Sequence, residues 1–597
     1  MGNNSEAAKI LREIAFILQT KEEDENERNL IFKIRSYNRA ADEIENLSSD
    51  IEDIYKKDNL KGLLKIPSIG KAIATKLEEF ITTGKIPYLE ELKSELPIDI
   101  SQFIGLEGVG PKTIRTLYDN LGIKTISDLE NAATNGKIRN IPGFSHKKEE
   151  IILKKIQFFK KGGGRKLLGE VYPMVKTIEE RLSSFDGVNQ AIAVGSFRRM
   201  KETLGDIDYV ASVISDKEGA NLIDYFVNMP EVREVTGKGS AKAFVKLNNG
   251  IDADLLVVTK ESFGSALQYF TGSKEHGVAM RKIAISKGLR LNEWGVFDLQ
   301  KNRVAGSTEE EVYNSLGLEW IPPEMRENRG EIELAKIDSK KKVKANLPKL
   351  VTYDDLRGDL QVHSNNTDGT MSIEEMALHA RDNFGMRYIA ITDHTESLRL
   401  TNGLNENQLL DQANTISEIN DKIRNDNQKN RDFIILSSAE VNILKDGSLD
   451  ISNNVLDKLD IVGAAIHSNF ALTIEEQTNR LISAARNPSV DIIFHPTGRI
   501  INKREGYPVD MNKLINVAND AGAVLEIDSQ YDRLDLKDEF VRMAVESKVK
   551  LVIDSDAHHP VHYAYLRFGI GQARRGWATK SDILNTLSAK ELLDNLK

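Results

Sequence analysis

Apolar residues recur at intervals of three and four along residues 1–160, and the repeat breaks at Pro or Gly clusters such as IPSIG, GVGPK and IPGF. This spacing is typical of amphipathic helices, and the clusters are typical of the turns between them. The pattern predicts two helical domains, at residues 1–90 and 91–162.

A different pattern begins near residue 165. Short apolar runs (AIAVGS, DYVASV, FVKL and LLVV) alternate with polar turns and helical stretches. This alternation predicts a mixed sheet flanked by helices at residues 163–262, followed by a smaller domain at 263–335. The GGG at 162–164 indicates a flexible joint.

The polar, lysine-rich segment IDSKKKVKANLPKLVTYDDLRGD lacks sustained periodicity and predicts a linker at residues 336–356. Beyond it, at 357–597, short apolar runs recur about every 30 residues, the length of a β-α unit. The predicted fold class is therefore multidomain α+β and α/β, ending in a closed β/α barrel. Such barrels carry their active site at the C-terminal ends of the strands.

The composition is 40% hydrophobic and 29% charged, and no apolar run approaches the roughly 18 residues of a membrane span. The opening MGNNSEAAKILREIA shows helical spacing in place of the basic start of a secretory signal, so we expect a cytoplasmic protein without a membrane role. Because the chain has no cysteine, His, Asp and Glu must hold any metal.

The net charge of -10 argues against a protein that coats nucleic acid by charge alone. One segment departs from this balance: between Lys137 and Lys166 there are ten Lys or Arg against two acidic residues. Such a run is commonly just a solvated face.

Two segments share one pattern, IPSIGKAIATKL from Ile66 and LEGVGPKTIRTL from Leu106, and a fainter third starts at Ile141. Each places a glycine turn before a helix, where exposed amides bind phosphate without reading bases. These helix-hairpin-helix patterns, beside the basic segment, predict sequence-independent DNA binding, and an ordinary helical scaffold is the alternative. The predicted contacts are Pro67, Ile69, Gly70, Gly108, Gly110 and Lys112.

Asp206 and Asp208 lie at i and i+2, so both carboxylates project from one face of a strand. Asp254 is the expected third ligand, with Asp252 two residues earlier on the same face. Carboxylates that bridge two metals can activate a primer 3'-hydroxyl and steady the leaving pyrophosphate. Taken alone, however, an Asp-x-Asp is more often a solvated acidic turn.

Just upstream, Gly195 and Ser196 end a predicted strand. Their backbone amides, together with Arg199, suit a triphosphate.

Residues 1 to about 335 resemble family X DNA polymerases, the class that includes DNA polymerase beta. The match is carried by GSFRR (195–199), GDIDYV (205–210), YFTGSKEH (269–276), LNEWGVF (291–297) and IPPEMRENRGE (321–331). The resemblance implies a nucleotidyltransferase palm, a thumb, and Mg²⁺ or Mn²⁺ on Asp206, Asp208 and Asp254. It implies nucleotide contacts at Gly195, Ser196, Arg199, Tyr269, Phe270, Gly272, Arg281 and Asn292.

Two positions depart from the family. Gly277 stands where relatives often carry Asn, and Leu256 where many carry Arg, which puts base selection and efficiency in doubt. The resemblance also places Lys76 at the Schiff-base lysine that acts on 5'-deoxyribose phosphate, a role that requires a lowered amine pKa. The alternative for Lys76 is a solvated helix lysine.

Eight of the ten histidines lie beyond residue 360, and five of them end successive predicted strands together with carboxylates. A single histidine is more often packed or on the surface, but this arrangement predicts a site for two or three Zn, Mn or Fe ions that hydrolyses phosphoesters. The predicted ligands are His363, Asp368, His394, Glu440, His467, His495, Asp556 and His558.

This half resembles the PHP domain of the polymerase and histidinol phosphatase superfamily, through TDH (392–394), AEV (439–441), AIHS (465–468), HPTGR (495–499) and SDAH (555–558). The resemblance implies a (β/α)7-type barrel with 3'-5' exonuclease, abasic-site endonuclease or 3'-phosphatase activity, and a phosphate contact at Arg499. The family usually opens with His-x-His, whereas this chain has Gln361 and His363, so one metal is expected to bind weakly or through water.

Together these features predict a monomeric repair enzyme that fills gaps in primed DNA with dNTPs and trims or cleans 3' ends. Three rivals remain: an inactive DNA clamp that serves the barrel, a barrel that is only structural, and a different nucleotidyltransferase such as a tRNA end-adding enzyme. The last shares GS and Asp-x-Asp but lacks the hairpins and YFTGS.

Overall fold

The computed structural model describes residues 2–20, 27–45, 47, 51–96, 98–100, 103, 109–162, 165–337, 345–398, 401–425 and 432–596. The chain forms two compact units: unit 1 is residues 1–163 with 502–505, and unit 2 is residues 164–501 with 506–597. In this part of the chain, none of the helices combines the length and apolarity that crossing a membrane demands. Part of the predicted linker, 338–344, and two glycines of the GGG, at 163 and 164, fall outside the described residues.

Unit 1 is helical wherever it is described, apart from short turns. Glycines set two of its helix boundaries: α7 starts after Gly110 with Pro111 in its first turn and ends at Gly122, which is left-handed. The helices are α1 (Gly2–Gln19), α2 (Glu27–Glu45), α3 (Ile51–Asp58), α4 (Leu60–Leu63), α5 (Lys71–Thr83), α6 (Pro87–Glu95), α7 (Pro111–Leu121), α8 (Ile126–Thr134) and α9 (His146–Gly162).

Unit 2 opens with a five-stranded mixed sheet, the predicted palm, in the order β2-β4-β7-β6-β5. β4 and β7 run parallel at its centre and the other neighbours are antiparallel. The strands are β2 (Val188–Ala193), β4 (Asp206–Val213), β5 (Val232–Lys238), β6 (Lys242–Leu247) and β7 (Asp252–Thr259), and a two-stranded ribbon joins β1 (Lys166–Leu167) to β3 (Thr203–Leu204). The helices of this region are α10 (Leu168–Ser183), α11 (Gly195–Arg198) and α12 (Asp216–Val227).

The next region is residues 263–335, where the thumb is predicted. It holds a three-stranded antiparallel sheet in the order β10-β9-β8 among short helices. Its elements are α13 (Phe263–Thr271), α14 (Lys274–Ser286), β8 (Arg290–Asn292), β9 (Gly295–Phe297), β10 (Arg303–Ala305), α15 (Glu309–Ser315) and α16 (Glu331–Leu334).

Seven parallel strands in sequence order, β11 to β17, make up the C-terminal region. A parallel bridge between Val362 and Ala557 brings the last strand back to the first and nearly closes the barrel. The strands are β11 (Gly358–Val362), β12 (Tyr388–Ile391), β13 (Ile434–Asn442), β14 (Ile461–Ala465), β15 (Ile492–Ile493), β16 (Val524–Asp528) and β17 (Leu551–Asp554). The helices are α17 (Ile373–Phe384), α18 (Glu406–Asn425), α19 (Asn453–Leu456), α20 (Ile474–Arg486), α21 (Met511–Ala521), α22 (Asp538–Glu546), α23 (Leu566–Arg575) and α24 (Ala589–Leu593).

One end of the barrel interior is apolar. Leu360, Tyr388 and Phe494 belong to this inner cluster, whereas the larger outer cluster packs strands against helices. Gly463 makes room for Phe494, because a Cβ there would come within 1.8 Å of the ring. Since the apolar side chains fill this end, polar side chains collect at the C-terminal ends of the strands. Helical domains, mixed sheet and barrel confirm the predicted fold class.

Within unit 2 the barrel and the palm share one hydrophobic core. Ile501, Leu534 and Phe568 of the barrel belong to the same buried cluster as the palm residues Phe197 and Met200. A Cβ on Gly571 of α23 would lie 2.7 Å from Cε of Met200. The two regions are therefore in close steric contact.

Candidate active sites

The three palm aspartates lie on neighbouring central strands. Asp206 pairs in register with Asp252, and Asp208 with Asp254, because β4 and β7 run parallel. Side chains two residues apart on a strand share a face, so this pairing puts all four carboxyl groups on one face of the sheet. The register, which sequence alone did not establish, brings the predicted ligands together.

Burial and mutual repulsion raise the pKa of two of these carboxyl groups, Asp208 and Asp254. Burial, with the charges of Asp206 and Asp254, raises the pKa of Asp208 to about 7, against the opposing effect of Lys242. Burial also raises the pKa of Asp254, although Lys242 lowers it, with Nζ 3.9 Å from Oδ2. Hard carboxylate oxygens with unrelieved negative charge are the donor set that Mg²⁺ and Mn²⁺ prefer. The residues therefore fit a divalent cation.

Backbone geometry keeps the neighbouring turn close to these aspartates. Gly195 begins α11 directly after β2 with φ +64, and a Cβ on it would lie 3.1 Å from Oδ2 of Asp208. Ser196 follows it in the same helix. Position 195 favours glycine for two reasons: there is little space for a Cβ beside Asp208, and other residues rarely adopt positive φ.

The predicted sugar and base contacts gather at the end of α13. The rings of Tyr269 and Phe270 lie 5.1 Å apart, and the guanidinium of Arg281 lies 5.9 Å from the Tyr269 ring centroid. Gly272 ends the helix with φ +68, where a Cβ would come within 3.0 Å of Nη1 of Arg199. The side-chain oxygen of Asn292 accepts from the amides of its own turn, at Trp294 and Gly295.

The sequence reasoning did not anticipate the partners of Arg199. Its Nε donates to Glu327 Oε1 at 3.1 Å, and Nη1 donates to the carbonyl of Thr271. Lys242, which reaches Asp254, was missed as well. No short motif links these residues, because their partners lie far away in the chain.

The barrel ligands converge on two carboxylates. Asp368 lies within 3.4 Å of both His394 Nε2 and His558 Nε2, and within 3.8 Å of His363 Nδ1. Among the described residues, the groups in which at least three potential ligand atoms lie within 4.8 Å of one another are His363, Asp368, His394 and His558, and His394, Glu440 and His467. The palm aspartates do not form so tight a group.

Glu440 lies between the remaining histidines. Its Oε1 is 2.7 Å from His495 Nε2 and 3.1 Å from His467 Nε2, and its Oε2 is 3.0 Å from His394 Nδ1. His363 Nε2 reaches Asp556 Oδ1 at 3.2 Å. The structure thus gathers all eight predicted ligands in one pocket.

Several features fit this pocket to metal ions. Nδ1 of His363 and Nδ1 of His495 are buried without a hydrogen-bond partner among the described residues. Although burial alone would lower it, Asp368 and Asp556 raise the pKa of His558 to about 10. The pocket therefore strongly favours added positive charge, and imidazole with carboxylate suits Zn, Mn or Fe.

Asn442 is a further part of the pocket that the sequence reasoning missed. Its Oδ1 lies 2.8 Å from His467 Nδ1, and its amide donates to Thr395 and Asp450. An Nδ1 proton shared with Asn442 leaves Nε2 of His467 free as a ligand, which is how outer contacts orient metal-binding histidines.

Gln361 occupies the position where the family has its first histidine. The side chain is fully buried, and neither amide atom has a hydrogen-bond partner in the described part of the chain. The strand pairing shifts between Asp359 and Val362, so the local register is irregular here. A buried amide oxygen without a donor fits a weak ligand better than a packing role.

Arg499, the predicted phosphate contact, bonds to the palm and to a backbone carbonyl of the barrel. Its Nη2 donates to Glu202 of the palm at 2.8 Å and to the carbonyl of Leu534. Arg533 lies beside a predicted ligand, with Nε 4.0 Å from Asp556 Oδ2 and 3.7 Å from Asp528 Oδ2. It is a partly buried cation of the pocket that no motif pointed to.

The two predicted hairpins of unit 1 present helix N-termini. Gly70 precedes α5 and Gly110 precedes α7; neither supplies a side-chain cap, and a Cβ would meet nothing within 4 Å. Helix N-termini without a side-chain cap suit a phosphate. Pro67 is exposed and Ile69 is buried before α5, and Lys112 lies in the first turn of α7. Gly108 lies outside the described residues.

Lys76 on α5 faces an aromatic ring. Its Nζ lies 4.8 Å from the Tyr88 ring centroid, at the same distance as Nζ of Lys33, which also donates to the Tyr88 hydroxyl. Burial and Lys33 lower the pKa of Lys76, against the opposing effect of Glu79. A lowered pKa is what the lyase prediction requires.

Family models match three parts of the chain: a helix-hairpin-helix domain at residues 2–86, a SAM-like helix-hairpin-helix tandem at 100–157, and the DNA polymerase beta thumb at 266–327. The chain is 34% identical over 569 residues to the DNA polymerase/3'-5' exonuclease PolX of Bacillus subtilis (strain 168), covering 95% of each chain.

Two further relatives match parts of the chain. DNA polymerase lambda of Arabidopsis thaliana is 28% identical over 49% of this chain and 57% of its own. A probable phosphatase of Thermoanaerobacter sp. (strain X514) is 32% identical over 26% of this chain and 64% of its own. With a relative of this similarity along nearly its whole length, the chain belongs to the family X DNA polymerases of the PolX type, which carry a C-terminal PHP domain.

Proposed function

We propose that the chain is a DNA-directed DNA polymerase that fills short gaps during repair, and that its barrel removes nucleotides from 3' ends as a 3'-5' exonuclease. The relative from Bacillus subtilis bears both activities in its name. The observation that carries the polymerase proposal is the in-register pairing of Asp206 and Asp208 with Asp252 and Asp254 on one face of the sheet.

In the palm, Asp206, Asp208 and Asp254 would hold two Mg²⁺ or Mn²⁺ ions. Such ions, when bound, activate the primer 3'-hydroxyl and stabilise the leaving pyrophosphate. Arg199 and the amides at Gly195 and Ser196 bind the triphosphate. Tyr269, Phe270 and Gly272 pack against the sugar, Arg281 contacts the nascent base pair, and Asn292 supports this surface from its turn.

In the barrel, the eight ligands named above, with Gln361 as a weaker ninth, would hold Zn²⁺, Mn²⁺ or Fe²⁺. The ions would supply a hydroxide for phosphodiester hydrolysis. Glu440 joins the ligand groups, Asn442 orients His467, and Arg499 and Arg533 provide positive charge for the phosphate. The tight clustering of these groups supports hydrolysis over a purely structural barrel.

The hairpin amides at Gly70 and Gly110, with Lys112 and their neighbours Pro67, Ile69 and Gly108, hold the DNA backbone. Lys76 supplies the amine for removal of a 5'-deoxyribose phosphate. The enzyme acts as a monomer in the cytoplasm, where DNA and dNTPs meet in a bacterial cell.

One assay tests both halves. A duplex with a one-nucleotide gap and a labelled primer is incubated with Mg²⁺ or Mn²⁺, with and without dNTPs, so that extension and shortening are read from one gel. We expect Asp208→Asn to lower extension strongly without affecting shortening, and His467→Ala to lower shortening strongly without affecting extension. Extension by Asp208→Asn at the wild-type rate would refute the palm assignment, and shortening by His467→Ala at the wild-type rate would refute the barrel assignment. Primers with a 3'-phosphate or an abasic site report the alternative barrel activities.

A further inference from the structure

The arginine predicted to bind triphosphate shares its carboxylate with an arginine of the barrel. Glu327 Oε1 accepts from Arg199 Nε at 3.1 Å and from Arg575 Nη1 at 3.0 Å. Arg575 Nη1 also donates to the backbone carbonyl of Arg199 at 2.9 Å. The Arg575 side chain of the barrel therefore contacts both the backbone of Arg199 and the Glu327 carboxylate with which Arg199 pairs.

These charges are largely removed from water. The Arg575 side chain is 3% exposed, Arg199 is 13% and Glu327 is 15%. Ion pairs are screened far less when buried than at the surface, so the balance of charge around Glu327 has energetic consequences. Lys201, at 3.8 Å, is a third cation beside the same oxygen.

The barrel fixes the position of Arg575. Its Nη2 donates to Asp538 Oδ2 at 2.6 Å, and Arg329 donates to the same oxygen and to the carbonyl of Arg575. One turn earlier on α23, Gly571 packs against Met200 so closely that a Cβ would overlap it. The guanidinium is therefore held in place by the same surface that joins barrel and palm.

We propose that Arg575 is a positioning residue for the polymerase reaction, through which the PHP barrel sets the affinity for the incoming nucleotide. Arg575 donates a hydrogen bond to Glu327, which weakens the pairing of Glu327 with Arg199, and it donates another to the backbone carbonyl of Arg199. Without it, Glu327 pairs more fully with Arg199 and competes with the triphosphate for the guanidinium. This inference rests on the proposed function of Arg199 and the palm.

The test measures nucleotide binding without chemistry. The full chain is bound to gapped DNA with a dideoxy-terminated primer in Mg²⁺, and the Kd of an α,β-imido-dNTP is measured by titration. We expect Arg575→Gln to raise this Kd about tenfold, a coupling usual for contacting charged residues. The matched control is Arg574→Gln, on the same helix and surface but paired with Glu324, which should change the Kd less than about twofold.

The route through Glu327 is tested by a double variant. In a Glu327→Gln background, Arg575→Gln should raise the Kd by clearly less than tenfold, because only the contact with the Arg199 backbone is then lost. An unchanged Kd in Arg575→Gln, an equal rise in Arg574→Gln, or a full tenfold rise in the Glu327→Gln background would each overturn the proposal. If Arg575→Gln does not fold, Arg575→Lys, which reaches fewer of the three acceptors, should raise the Kd about threefold, and no change would count against the proposal.

Extension assays on the same preparations separate this proposal from the polymerase function. If the wild type extends primers and all variants bind the nucleotide equally, only the role of Arg575 is refuted. If the wild type binds the analogue but does not extend primers, the polymerase function is refuted.

Discussion

The palm and barrel sites gather negative charge in different ways. In the palm, carboxylates line one open face of a sheet and repel one another, with Lys242 as the nearby cation. In the barrel, imidazole and carboxylate groups contact one another in a largely buried pocket. Under the proposed function, the palm admits a primer, a template and a nucleotide, which requires accessible carboxylates. The barrel would admit only a strand end, so its softer imidazole and carboxylate groups can be enclosed.

The largest effect should separate the two sites outright. Asp208→Asn removes a charge from the middle of the palm set, and we expect extension to fall about a thousandfold, roughly 4 kcal/mol of transition-state stabilisation. Single-turnover extension measures it, and shortening of the primer should persist. A parallel loss of shortening would indicate that the sites are not independent.

The next effect is expected in the barrel. Glu440→Gln removes the carboxylate that lies between His394, His467 and His495, so shortening should fall about a hundredfold and bound metal should decrease. Elemental analysis after gel filtration reports the metal, and His379→Ala is the control for loss of a barrel histidine outside the ligand groups. Full metal content in Glu440→Gln would contradict a role for Glu440 in holding the metal ions.

A smaller effect should follow from the residue behind a ligand. Asn442→Ala leaves every ligand in place but frees the His467 ring, so metal affinity should weaken about tenfold. Competition with a chelator dye measures this affinity. Added metal should restore shortening in Asn442→Ala more completely than in Glu440→Gln, and failure to restore it would indicate a folding defect.

The smallest predicted effect concerns the Schiff-base chemistry of Lys76, which needs no metal ion. Because the pKa of Lys76 is lowered, its neutral amine fraction rises at lower pH than in an ordinary lysine. Borohydride trapping of a 5'-deoxyribose phosphate end should therefore increase with pH, with its midpoint below the ordinary lysine pKa of about 10.4. EDTA should leave trapping unchanged and Lys76→Ala should remove it; trapping by that variant would assign the amine to another residue, such as Lys33.

The convergence of the barrel histidines and carboxylates could be predicted, because the topology brings these side chains together. Each ligand follows a short apolar run, and the carboxyl ends of parallel strands meet at one end of a barrel. The palm aspartates could be predicted in part, since i and i+2 positions share a strand face. The pairing of Asp208 with Asp254, however, depends on which strands become neighbours.

The sequence by itself determined the helical, mixed and barrel regions and the residue types at each site, because periodicity and strand ends are local properties. Only the tertiary structure decided that Glu327 and Arg575 surround Arg199, that Asn442 orients His467, and that Arg499 contacts the palm. These contacts join surfaces distant in the chain, and their geometry follows from how whole domains pack.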